Sequence, residues 1–234
     1  MRHDSDDVFE LAGPPALTRP PEDVIRVLAP MVTPARLVRI EAAARGRTLS
    51  VIPVLDGLSD PHNASAILRS AEAFGVQAVH LVPGPYGFRA ARSVEKGSSR
   101  WLDLHLHVDA ASCADAVRAA GYSLFVAVMD GAETPEALGE RVARGERIAV
   151  VMGNEREGVS EAMRTRATGT YRVPMDGFVE SLNVSVAAAT TLYTVTRRAQ
   201  RTVDEADVRA LMARYLMHSV NDAEGVLDVH LGAH

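Results

Sequence analysis

Two kinds of apolar pattern alternate along this chain. Short, nearly unbroken apolar runs occupy residues 50–55, 78–82, 123–128 and 148–152, with a shorter one at 170–173. Such runs, bounded by Gly, Pro and Asp, are the signal of strands buried on both faces. Residues 102–108 alternate apolar and polar positions, as a half-buried strand does. Between them lie stretches with apolar residues at helical spacing: 33–47, 64–74, 112–120, 134–144, 182–199 and 204–217. Strands alternating with helices predict an α/β fold, a parallel sheet with helices on both faces.

Local punctuation supports several of these boundaries. Thr33 is a good N-cap, Pro34 suits the first helical position and Gly46 can end that helix. Asn63 can cap the helix at 64–74, Gly75 can end it, and Ser160 can cap a helix that follows it. Residues 83–100 are rich in glycine and charge and read as an exposed functional loop.

Composition narrows the function class. The chain has 234 residues, 47% hydrophobic and 24% charged, enough to bury a core without covalent staples. The one cysteine, Cys113, excludes an internal disulfide and a thiolate metal cluster, and agrees with a reducing, cytoplasmic setting. No apolar run approaches the roughly 18–20 residues that span a bilayer, and no signal peptide is evident, so no membrane partner is expected. Net charge is −5, yet the cations cluster locally. Arg36, Arg39, Arg45 and Arg47 fall in one short stretch; Arg89, Arg92, Lys96 and Arg100 fall in another. They form either solvated faces or a path for a phosphate backbone.

Several chemistries lack their motifs. No Gly-x-Gly occurs, which removes the ordinary dinucleotide-binding turn, and the Walker loop and the Gly-x-Ser-x-Gly elbow are also absent. His105 and His107 would share one strand face. Without carboxylate or thiolate partners at ligand spacing they read as a polar face, and no metal is expected.

Three segments stand out: NASAILRSAEAFG at 63–75, VMGNEREGVS at 151–160 and VPMDGFVESLNVSVAA at 173–188. In this order they resemble the three motifs of the SPOUT class of RNA methyltransferases, with the nearest likeness to the TrmH family of tRNA (guanosine) ribose 2′-O-methyltransferases. The resemblance runs from about residue 33 to about residue 200. It implies S-adenosylmethionine as methyl donor, tRNA as partner, guanosine 18 of the D-loop as target and a homodimer. It also implies a deep trefoil knot in the C-terminal part of the α/β domain. The chain then divides into a flexible tail (1–20), a helical RNA-binding extension (21–48), the SPOUT methyltransferase domain (49–200) and a C-terminal helical extension (201–234).

The resemblance also assigns residues. Arg69 would engage the ribose hydroxyl or its phosphate, from its own subunit or the opposite one; otherwise it is a helix arginine paired with Glu72. Guanidinium holds its proton far above neutral pH, so a bidentate phosphate clamp suits Arg69 better than a general base. Asn63, Glu155, Ser181 and Asn183 complete the catalytic set, although Ser and Asn here could equally be helix caps. Ala127, Gly153, Val173, Met175, Gly177 and Leu182 would line the cofactor pocket. Arg36, Arg39, Arg47, Arg89, Arg92 and Lys96 would contact RNA. The acidic net charge and the sparse cations after residue 201 depart from the usual tRNA-binding pattern. A ribosomal RNA enzyme, a non-catalytic RNA-binding paralogue and a small-molecule methyltransferase are the competing readings.

Overall fold

The computed structural model describes residues 8–9, 17–84, 90–91, 97–199 and 203–232. In chain order it contains α1 (Pro21–Leu28), α2 (Pro34–Arg45), β1 (Val51–Asp56), α3 (Pro61–Ala73), β2 (Ala78–Val82), β3 (Asp103–Leu106), α4 (Ala110–Ala119), β4 (Ser123–Ala127), α5 (Pro135–Ala143), β5 (Ile148–Gly153), α6 (Glu161–Arg164), β6 (Gly169–Tyr171), α7 (Val184–Thr196), α8 (Glu205–Ser219) and α9 (Ala223–Leu231). The chain divides into two compact units, Met1–Ala12 with Thr48–Gln200, and Gly13–Arg47 with Arg201–His234.

The first unit is built on a six-stranded sheet in the order β3-β2-β1-β5-β4-β6, with every neighbouring pair parallel. The continuous apolar runs mark the strands buried on both faces. In β1 and β5, Val51, Leu55, Ile148, Val150 and Met152 face one core, while Ile52, Val54, Ala149 and Val151 face another. Helices α3, α5 and α7 cover the first face through Ile67, Leu68, Leu138, Leu192 and Val195. Helix α4 covers the second with Cys113, Ala114 and Val117, joined by Met163 of α6. A buried Leu or Ile of this kind contributes roughly 1.5–3 kcal/mol of transfer free energy, so these two layers supply the unit's cohesion.

The order of the strands positions a site. From β1 the chain winds outward through β2 to β3; β4, β5 and β6 then build the other half, with β5 against β1. The direction of winding reverses between β1 and β5, and a ligand is expected outside the carboxyl ends of the strands at such a point.

Among the described residues, the regular elements of the second unit are all helices. Its packing joins α1 and α2 to α8, and α1 to α9, so segments far apart in the chain share one core. Val24, Leu28, Ile40, Leu211 and Leu216 are buried there. Thr33 caps α2 by accepting the Arg36 N–H at 3.2 Å, as its position before Pro34 predicts.

One boundary differs from expectation. Helix α3 begins at Pro61, a turn earlier than residue 64, and its cap is Asp60, whose side chain accepts the His62 N–H at 2.8 Å. Asn63 is therefore not a cap. It lies inside the first turn with its side chain released for another contact.

Candidate active site

The loop after β5 folds back tightly. Asn154 and Gly158 exchange two backbone hydrogen bonds of 2.9 Å each. The Asn154 side chain braces the turn, accepting from the Arg156 and Glu157 amides and donating to the Gly57 carbonyl at 2.8 Å. Gly158 has φ +71°, which L side chains rarely adopt. At Gly153 a Cβ would collide with the Gly158 carbonyl carbon and the Val159 nitrogen. Both glycines are requirements of this loop geometry.

The loop presents Glu155 to the start of α3. Glu155 Oε2 accepts from Ser59 Oγ at 2.8 Å and from the Ser59 amide at 3.2 Å, and Oε1 accepts from Asn63 Nδ2 at 2.9 Å. Partial burial alone would raise this carboxyl, but the Asn63 and Ser59 hydrogen bonds outweigh it and pull the pKa down to about 2. Asn63 Oδ1 in turn accepts from Asn183 Nδ2 at 3.0 Å. Asn183 also caps α7, its Oδ1 accepting from the Ser185 amide at 2.8 Å and from Ser185 Oγ at 2.6 Å. Asn183 is thus both a cap and a member of the site. The chain Glu155–Asn63–Asn183 ties together all three sequence segments.

Beside this chain lies a cavity of about 580 Å³ at the carboxyl ends of β4, β5 and β6. Its volume suits a cofactor-sized organic ligand. Ala127, Gly153, Val173, Met175 and Leu182 line it, together with Glu155, Ser181 and Asn183. Gly177 does not, and nothing lies within 4 Å of where its Cβ would stand. Asn63 and Arg69 are not on the wall either; Arg69 is exposed on α3.

The cavity also has members that the sequence pattern does not single out. Met129 and Asp130 follow β4, Arg172 follows β6, and Arg164 closes α6. The carboxyl-end rule, applied to β4 and β6 as well as to β5, is the signal that could have found the first three. Asp130 and Glu155 with Arg164 and Arg172 give the cavity rim both signs of charge.

The arginines expected to contact RNA divide. Arg39 is exposed on α2. Arg36 is half-buried and its Nη2 donates to Ser219 Oγ at 3.2 Å. Arg47 is a correction: it is 2% exposed, and its Nε donates to Tyr215 Oη at 2.8 Å inside the helical unit. A guanidinium enclosed in this way is a structural element, not a phosphate contact. Arg89, Arg92 and Lys96 lie outside the described residues.

Residues 50–193 match the model of the SpoU rRNA methylase family, which is more than half of the chain, so the chain belongs to that family. Among its relatives, a tRNA (guanosine(18)-2′-O)-methyltransferase of Thermus thermophilus is 34% identical over 71% of this chain and 84% of the relative. The 23S rRNA (guanosine-2′-O-)-methyltransferase of Xylella fastidiosa is 38% identical over 69% of this chain, but over only 62% of the relative. The crystal structure of the A. aeolicus TrmH/SpoU tRNA modifying enzyme superposes with a TM-score of 0.68 over 80% of this chain and 97% of that one; at 22% identity it speaks for the fold.

Proposed function

We propose that this protein transfers the methyl group of S-adenosylmethionine to the ribose 2′-hydroxyl of a guanosine in tRNA, guanosine 18 of the D-loop. The cavity at the strand ends carries the reading, because the second and third family segments line it, the first is tied to both through Asn63, and it has the size and mixed charge that a sulfonium amino acid joined to a nucleoside requires. The donor brings an already activated methyl group. The residues of the chain have to orient the hydroxyl and exclude water. Ala127, Gly153, Val173, Met175 and Leu182 hold the donor, with Gly177 in the loop beside them. Ser181 and Asn183 face the reacting groups. Asn63 fixes the Asn183 amide, and ionised Glu155 fixes Asn63. An oxygen–carbon bond forms as the carbon–sulfur bond breaks, and the hydroxyl proton leaves to solvent.

Arg69 stands off its own cavity, which supports a homodimer in which each Arg69 clamps RNA phosphate at the opposite site. Phe178, Val179 and Val186 of the third segment are exposed apolar side chains that such an assembly could cover. The C-terminal part of the α/β unit is inferred to be threaded as a trefoil knot, as the family resemblance implies. Arg36, Arg39, Arg89, Arg92 and Lys96 form the RNA footprint. A cytoplasmic location accords with a tRNA substrate, and no described helix is long and apolar enough to cross a membrane.

A ribosomal RNA substrate is the second reading, favoured by the likeness to the Xylella fastidiosa enzyme. Methyl incorporation from radiolabelled donor into unmodified tRNA transcripts, with guanosine 18 present or replaced, decides between them. Incorporation that needs that guanosine supports the proposal. Donor binding with incorporation only into ribosomal RNA replaces it with the second reading.

A further inference from the structure

Away from the cavity, on the other half of the sheet, three side chains with metal-binding chemistry converge. Strand register pairs His80 of β2 with His105 of β3, which puts His107 two residues further along the same face. His107 is held there by its own backbone, whose N–H donates to the Leu81 carbonyl at 2.9 Å. Helix α4 lays Cys113, fully buried, against this face. One ring nitrogen of His80, one of His107 and Cys113 Sγ all lie within 4.8 Å of one another.

We propose that His80, His107 and Cys113 form a binding site for a borderline-soft divalent cation of the zinc type. Two imidazoles and one thiolate are a donor set that such a cation prefers, whereas magnesium and calcium require oxygen ligands. Metal–nitrogen bonds of about 2.0–2.1 Å and metal–sulfur bonds of about 2.3 Å place tetrahedral donors roughly 3.4–3.6 Å apart. The His80 Nδ1 to His107 Nε2 contact, 2.8 Å, has to open by about half an ångström, and Cys113 Sγ has to close by about 1.2 Å at most. Rotamer adjustments on half-exposed rings supply that. His105 also stacks on His80, with centroids 4.6 Å apart, but it is not one of the three side chains whose donor atoms converge, and the fourth position falls to solvent water.

The site is balanced in protons and charge. The cation replaces the proton of the thiol, which leaves to solvent, and each imidazole contributes a lone pair in its neutral form. The proton shared between the two facing nitrogens moves to the outer nitrogen of one ring.

The sequence pattern points the other way, because His105 and His107 are adjacent in the chain and their partners are not. The ligands come from β2, from just past the end of β3 and from α4, and a metal there would staple the sheet edge to its covering helix.

The test uses the full-length protein, free of any polyhistidine tag and stripped with a chelator. Cobalt(II) is titrated in, the thiolate-to-cobalt charge-transfer band is followed, and zinc affinity is measured by competition with a chromogenic chelator. The expected result is one cation per chain with a thiolate band, abolished in Cys113→Ala and with affinity lowered at least tenfold in His107→Ala. His230→Ala, in the helical unit, leaves both unchanged. Absence of a band in the wild type, or the same band in Cys113→Ala, overturns the proposal. Should Cys113→Ala not fold, His107→Ala, on a half-exposed position, decides: an affinity within twofold of wild type also overturns it.

Discussion

Asn63 Nδ2 donates to Glu155 Oε1 at 2.9 Å across 92 residues of chain. Its carbonyl oxygen simultaneously receives Asn183 Nδ2 at 3.0 Å. One amide thereby satisfies a carboxylate on one side and aims a second amide on the other. Asn63→Ala removes both bonds. Glu155 keeps its Ser59 partners, but Asn183 loses the acceptor that orients it. The expected outcome is a fall in kcat of tenfold or more, with a stability loss of about 1–3 kcal/mol for partners left unpaired. Asn63→Asp is worse than alanine, because it sets a second carboxylate against Glu155. Single-turnover methyl transfer and thermal unfolding check both variants. Alanine at wild-type kcat would remove Asn63 from the site.

The same bonds set a pH dependence. The pKa of Glu155 falls from its usual 4.5 to about 2 on folding. A depressed carboxylate contributes its stability above the unfolded value and loses it as pH drops through the folded one. This contribution is therefore complete above about 4.5 and vanishes toward about 2. Carbon-detected titration of the Glu155 carboxyl should give a midpoint near 2 in the wild type and an upward shift in Asn63→Ala. An ordinary midpoint in the wild type would mean that the hydrogen bonds only cancel the effect of burial.

Arg69 is exposed on α3 and off the cavity wall. Its replacement should spare the donor pocket. Arg69→Ala is expected to lower methyl transfer by at least a hundredfold while donor affinity, measured by calorimetry, stays within threefold. A comparable loss of donor affinity would place Arg69 on the donor instead of the RNA.

What the sequence makes legible is local. The run at 78–82, apolar except for His80, is strand β2 residue for residue, and the unbroken run at 148–152 differs from β5 only by Gly153, because a short apolar stretch between turn residues has few alternatives. Thr33, Ser160 and Asn183 cap the helices that follow them, since a cap acts within three residues. What is not legible is contact at long range. Asn63 looks like a cap until Asp60 takes that place and frees it for Glu155. Arg47 looks like a member of a cationic face until Tyr215, 168 residues away, encloses it. Helices α1 and α9 fall inside the helical extensions expected at 21–48 and 201–234, but the apolar pattern gives neither of them its own bounds.

Two glycines of the site should respond oppositely to the same change. At Gly153 an added methyl meets the backbone of Gly158 and Val159, and neither can yield without opening the loop that presents Glu155. Gly153→Ala is expected to lower donor affinity at least tenfold and to cost about 1–3 kcal/mol in stability, the usual range for overpacking. At Gly177 the added methyl meets nothing within 4 Å. Gly177→Ala should fold like the wild type and bind the donor within threefold. Equal losses in both variants would mean that Gly177 packs against the donor more closely than the protein alone indicates.

Arg39 and Arg47 separate RNA binding from structure within the helical unit. Arg39 is exposed on α2, so Arg39→Ala removes charge without disturbing packing. Its expected effect is weaker tRNA binding, with a shallower dependence on salt, since each lost phosphate contact lowers the slope of log affinity against log salt by about one. Thermal stability should stay within about 0.5 kcal/mol, as for ordinary surface changes. Arg47 is buried against the Tyr215 hydroxyl and lies 5.6 Å over its ring. Arg47→Ala removes that hydrogen bond and opens space, and a loss of about 1–3 kcal/mol is expected. Because Arg47 is enclosed in the helical core, the salt slope of whatever protein remains folded should match the wild type. Filter binding across a salt series, alongside thermal unfolding, reads both quantities on both variants. A reduced slope in Arg47→Ala would return Arg47 to the RNA footprint; an unchanged slope in Arg39→Ala would remove α2 from it.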